Sequence, residues 1–106
     1  MRTKASQRPQ PESPIRDIEI NYRDGKAYAA YIPLETGAAR ARAPMRVYRS
    51  VPREGGYVVD FTRGGVPIGI EVTEPATVTL GQVNRLLTSL GLTKVRRAVL
   101  RPLLAA

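Results

Sequence analysis

The chain has 106 residues, 17 Lys+Arg against 9 Asp+Glu, and no His, Cys or Trp. That length suits one domain with a single modest core. Without His or Cys the chain has no thiol nucleophile, disulfide, imidazole base or Cys/His metal site, so neither catalysis, a cofactor nor a metal is expected.

Apolar runs stop at four to six residues, far short of the roughly 20 that span a bilayer, so no membrane partner is expected. The basic start, Met1-Arg2-Thr3-Lys4, leads into Gln7-Arg8-Pro9-Gln10-Pro11 and not into an apolar signal core, which makes the cytoplasm the expected location. Residues 1–14 hold Pro9, Pro11 and Pro14 and no large apolar residue besides Met1. Such a segment buries too little surface to offset its ordering entropy and reads as a disordered leader. A single α+β domain is expected over residues 15–92, and residues 93–106 form a basic and apolar segment, a short helix or a tail.

Ile18, Ile20 and Tyr22 alternate with Glu19, Asn21 and Arg23, the period of a strand with one buried face. Asp24-Gly25 suits a type I′ turn, and Lys26 to Ile32 runs back with Tyr28, Ala30 and Ile32 facing the core. Residues 33–44, a small-residue stretch with four Ala, two Arg and one Gly, read as a flexible loop, with a short helical turn as the alternative because Ala and Arg are good helix formers. A third strand is expected from Met45 to Val51, broken by Pro52. Tyr57, Val59 and Phe61, then Val66, Ile68, Ile70 and Val72, alternate on either side of Arg63-Gly64-Gly65 and predict a second hairpin. Pro67 within it requires an edge position or a bulge. Gly69, on the outward face, permits close approach of a ring or another backbone. Thr79-x-x-Gln82 reads as a capping box, and Leu80, Val83, Leu86, Leu87 and Leu90 follow at helical spacing up to the stop at Gly91. The predicted fold is a small antiparallel sheet of four to five strands, two hairpins plus one strand, with a C-terminal amphipathic helix packed on it. A further short helix from Thr93, ended or disturbed by Pro102, is open.

The segments Ile20-Asn21-Tyr22, Lys26 to Ile32, Tyr57-Val58-Val59-Asp60-Phe61 and Ile68-Gly69-Ile70-Glu71-Val72 stand in an order that resembles the DUF 2283 family of small bacterial and archaeal proteins. The resemblance covers roughly residues 18–73 and is sharpest from Val58 to Val72. Arg23 departs from it, standing where the family carries an acid beside the tyrosine, and residues 35–53 are longer and more basic. The family has no established activity, and some members are suspected antitoxins. The resemblance therefore implies a small partner-binding protein, with a possible antitoxin-like role.

Charge is concentrated in two stretches. Arg40, Arg42, Arg46, Arg49 and Arg53 form one and Arg85, Lys94, Arg96, Arg97 and Arg101 the other, and no acid interrupts either. Clustered cations mark a polyanion partner, and the excess of Arg over Lys suits bidentate phosphate contacts. A merely solubilising basic surface accounts for the same counts. Asp60 and Glu71 are expected on one outward face, as solvated groups or salt-bridge partners more readily than as a cation site. Small sheets leave free edges, and Val99-Leu100 with Leu103-Leu104 adds apolar surface, so a homodimer is expected. Two functions stay open: a non-enzymatic protein-interaction module, and a nucleic-acid-binding accessory protein using the Arg clusters.

Overall fold

Residues 13–35 and 46–105 are described by the structure, a computed structural model. Residues 1–12 of the expected leader lie outside them. Pro14, at the leader's end, is fully buried, and its carbonyl accepts from the Glu35 N–H at 2.7 Å.

Strands β1 (Glu19–Arg23) and β2 (Lys26–Pro33) meet through Asp24-Gly25, whose φ angles of 52° and 80° supply both left-handed positions of the expected turn. Strand β3 spans Arg49–Arg53, β4 Tyr57–Phe61 and β5 Pro67–Val72. β2 pairs with β5, so the two hairpins join into one antiparallel sheet of order β1-β2-β5-β4-β3. β1 and β3 are the edges.

Two expectations about strands are corrected, and at Pro67 the bulge alternative is the one found. β3 starts later than Met45 and runs through Pro52 to Arg53, because an edge strand tolerates a residue without an N–H. Pro67 lies in the central strand and is accommodated by a bulge: Asp60 pairs with Gly69 but Phe61 with Pro67, leaving Ile68 as the extra residue. Tyr22 and Tyr28 are not core residues, being 57% and 48% exposed. They follow the register shift at Asn21/Tyr22, near the tip of the first hairpin, and the Arg23 guanidinium lies 4.7 Å from the Tyr28 ring centre.

Beyond the sheet, a 3₁₀ turn at Pro75–Thr77 leads to helix α1 (Leu80–Ser89). Thr79 caps it by accepting from the Gln82 N–H at 3.1 Å. The other half of the expected capping box does not form, because the Gln82 carboxamide is engaged by Tyr57. Gly91 (φ 77°) ends the helix: its N–H reaches the Thr88 carbonyl, and the Leu92 N–H that of Leu87, both bonds of a Schellman motif. A second helix, α2 (Arg97–Leu104), corrects the expectation of one C-terminal helix. Pro102 lies inside it, and the helix ends two residues beyond.

Both helices cover one face of the sheet. Val83 and Leu87 of α1 and Leu100 and Leu103 of α2 are buried with Ala30, Ile32, Val59, Ile70 and Val72. The apolar C-terminal surface counted toward a dimer is in part spent on this internal core. No helix among the described residues is long and apolar enough to cross a membrane.

Candidate polyanion-binding groove

Arg53 ends β3 and pairs across the ladder with Tyr57, so both side chains leave the sheet on the face covered by helices. The Tyr57 ring is buried and its hydroxyl donates to Gln82 Oε1 of α1 at 2.7 Å. This bond holds the β3–β4 hairpin against the helix. Arg53 crosses the same gap further along and donates from Nη1 to Ser89 Oγ at 3.2 Å. Ser89 in turn donates to the Leu86 carbonyl at 2.7 Å. Between these ties lies an open groove of about 600 Å³, lined by Arg53, Glu54, Tyr57, Gln82, Arg85 and Leu86 among others.

The structure thus brings together one member of each predicted Arg cluster. Arg53 comes from the first, Arg85 from the second, and neither has a carboxylate partner among the described residues. Arg53 is half-buried and tethered, so part of the entropy of ordering its long side chain is spent before any ligand arrives. Arg85 is exposed on α1. Burial pushes the Tyr57 phenol above its usual pKa, against a smaller opposite effect of a Thr79 backbone hydrogen bond, so the hydroxyl stays a donor.

The other predicted cations are distributed around this groove's side of the chain or away from it. Arg49 shares the inward register of Arg53 on β3, with its guanidinium 5.4 Å from the Phe61 ring centre. Lys94 and Arg96 in the connection, and Arg97 and Arg101 on α2, are exposed. Arg46 is exposed ahead of β3, and Arg40 and Arg42 lie outside the described residues. From Pro75 to Ala106 the chain holds five cations and no Asp or Glu, so the helix layer is uniformly basic.

The opposite face of the sheet is acidic. Strand register puts Glu19, Tyr31 and Glu71 in one row and Gly69, Asp60 and Ser50 in the next. Tyr31 of β2 lies across Gly69 of β5, its hydroxyl occupying the space a side chain there would need. The ring admitted by Gly69 thus belongs to the adjacent strand. The hydroxyl donates to Asp60 Oδ2 at 3.2 Å, and Ser50 of β3 donates to Asp60 Oδ1 at 2.6 Å. Asp60 and Glu71 share the expected outward face, and neither forms an ion pair among the described residues. Arg63, three residues beyond Asp60, instead places its guanidinium over the Tyr48 ring, 5.1 Å from the ring centre. No group of three His, Cys, Asp or Glu arranged to hold a metal occurs among the described residues.

Burial, then the Asp60 carboxylate and its hydrogen bond, with smaller effects of Glu19 and Glu71, push the Tyr31 pKa up to about 12 from 10.0. The unfolded chain gives up this proton near pH 10, while the folded chain keeps it to about 12. Unfolding therefore releases the proton in that window, and stability should fall as pH rises from 10 to 12. Urea midpoints across this range are expected to drop more steeply for the wild type than for Tyr31→Phe, which has no phenol to ionise. Equal slopes would contradict the assignment.

No family model, curated protein or solved structure matches this chain.

Proposed function

We propose that this chain is a non-enzymatic module that binds the phosphate backbone of nucleic acid with its helix side. The observation that carries this reading is the meeting of Arg53 and Arg85 on one groove, both without a carboxylate partner among the described residues, beside a helix layer without acids. Cations paired internally would be spent on the fold. Here their N–H donors remain available to an anion, and Arg presents several of them in a fixed fork that suits phosphate.

The test is a salt titration with a labelled duplex. With four or five phosphates neutralised, log affinity should fall against log salt with a slope of roughly −4. Replacing Arg53 and Arg85 together by Ala should flatten that slope by about 2 and weaken all sequences alike. Binding that vanishes by about 200 mM salt, or a double variant indistinguishable from the wild type, would overturn the reading.

A second reading, a protein-interaction module, draws support from the other face. No helix covers the Tyr31–Asp60–Ser50 face among the described residues, and Glu19, Asp60 and Glu71 would repel nucleic acid there. Tyr22 and Tyr28 lie exposed at the same hairpin that forms the β1 edge. A self-partner or a second protein on this surface is compatible with nucleic acid on the helix side.

A further inference from the structure

We propose that the groove between the β3–β4 hairpin and α1 receives an unpaired nucleotide whose base carries an amino group, so that the module prefers single strands to duplex. The inference rests on the phosphate-binding reading above and adds what the groove selects.

Three features of the lining go beyond what a bare phosphate needs. The lining is mixed: Tyr57 and Leu86, both buried, contribute a narrow apolar strip between the polar groups. A phosphate draws no benefit from that strip, whereas the edge of a base ring packs on it. The volume of about 600 Å³ lies within the roughly 300–1,000 Å³ of small-molecule pockets, ample for one nucleotide.

The polar groups are also sorted. Gln82 spends its Oε1 on the Tyr57 hydroxyl, so its Nε2 hydrogens remain as donors. Arg53 keeps its other guanidinium donors after binding Ser89. Against these stands Glu54, an acceptor that would repel a lone anion. A nucleotide satisfies both kinds of group at once. Its phosphate takes the Arg53 and Arg85 donors, its ring carbonyl or nitrogen takes Gln82, and its amino group donates to Glu54. Cytosine carries this set on one edge, with N4–H₂ the donor that carboxylates read. In a duplex the base is stacked and paired, and extruding it costs a few kcal/mol.

The experiment compares three labelled probes by fluorescence anisotropy at fixed salt: a cytosine strand, a thymine strand and a duplex. The cytosine strand should bind about tenfold or more tighter than the duplex, the expected return from avoiding base extrusion. Thymine lacks the amino group and should bind more weakly than cytosine. Glu54→Gln should erase the difference between the two strands. Ser89→Phe, at an exposed helix position, fills the groove and removes the acceptor that tethers Arg53, so it should weaken duplex binding somewhat and cytosine-strand binding far more, abolishing the single-strand preference. Circular dichroism checks that both variants fold. Equal affinity for all three probes, with Ser89→Phe without effect, overturns the nucleotide pocket and leaves backbone binding standing. A single-strand preference that thymine shares and Glu54→Gln does not touch also overturns it. Failure of every probe to bind at about 50 mM salt removes both readings together.

Discussion

Leu100→Ala should lower the unfolding free energy by about 3 kcal/mol, the middle of the range for deleting a fully buried leucine. Leu100 is 0% exposed and Leu103 1%, and both belong to the one core formed with the sheet and α1. The cost has two parts, the lost transfer of three carbons from water and the void left where neighbours relax only partly. A domain of this size is stable by roughly 5–15 kcal/mol, so the variant loses a large share of the total. Its urea midpoint should fall with little change in slope, since the surface exposed on unfolding is nearly the same. The measurement decides where the domain ends. A terminal segment lying loosely on the surface would register no more than about 0.5 kcal/mol, as surface substitutions do. An effect that small would show that α2 is not part of the folding unit.

Much of the fold is legible in the sequence wherever local pattern and tertiary environment agree. The alternation at Ala30 and Ile32, at Val59, and at Ile70 and Val72 names core residues that are buried, and the helical spacing does the same for Val83 and Leu87. Alternation assigns a face, however, and not the extent of the cover over it. Tyr22 and Tyr28 have the right period but lie at a hairpin tip beyond the bulge, and they stay exposed. The strand order is equally hidden, because a period of two says nothing about which strand is the neighbour. The insertion of β5 between β2 and β4 follows from long-range packing.

The groove depends on that hidden order. Arg53 and Arg85 are 32 positions apart and belong to separate charge stretches. They meet because Tyr57 reaches Gln82 and sets the hairpin against α1. Nothing local to either stretch carries that information. A faint signal was present in Gln82, whose place in a capping pattern concealed its use as the partner of a buried phenol. Gly69 was more readable: a glycine amid β-branched neighbours marks close approach, although only the sheet register identifies Tyr31 as the ring.

Asn84 shows the same concealment with a larger consequence. On the helical wheel it falls among the polar residues opposite the leucines, yet its side chain is half-buried and turned onto the segment ahead of α2. Its Nδ2 donates to the Val95 carbonyl at 3.0 Å, and its Oδ1 accepts from the Val95 N–H at 2.8 Å. One amide thereby satisfies both polar groups of a residue that is itself buried. Asn84→Ala leaves that N–H and carbonyl without these partners and should cost about 2 kcal/mol, within the range for stranding a buried polar group. Asn84→Asp tests the geometry more sharply. The carboxylate still accepts from the Val95 N–H, but its second oxygen faces the Val95 carbonyl, acceptor against acceptor, so the aspartate should recover little above pH 5, where carboxylates are normally ionised. In both variants, amide hydrogen exchange should accelerate first in α2 and less in the sheet, because the bond ties α2 to α1 and leaves the strand ladder intact. Uniform acceleration across the sheet and both helices, or a loss below about 0.5 kcal/mol, would show that Asn84 is not the tie. Since α2 carries Arg97 and Arg101, the same substitution should also weaken binding to a duplex, with the loss confined to conditions in which the exchange data show α2 opening.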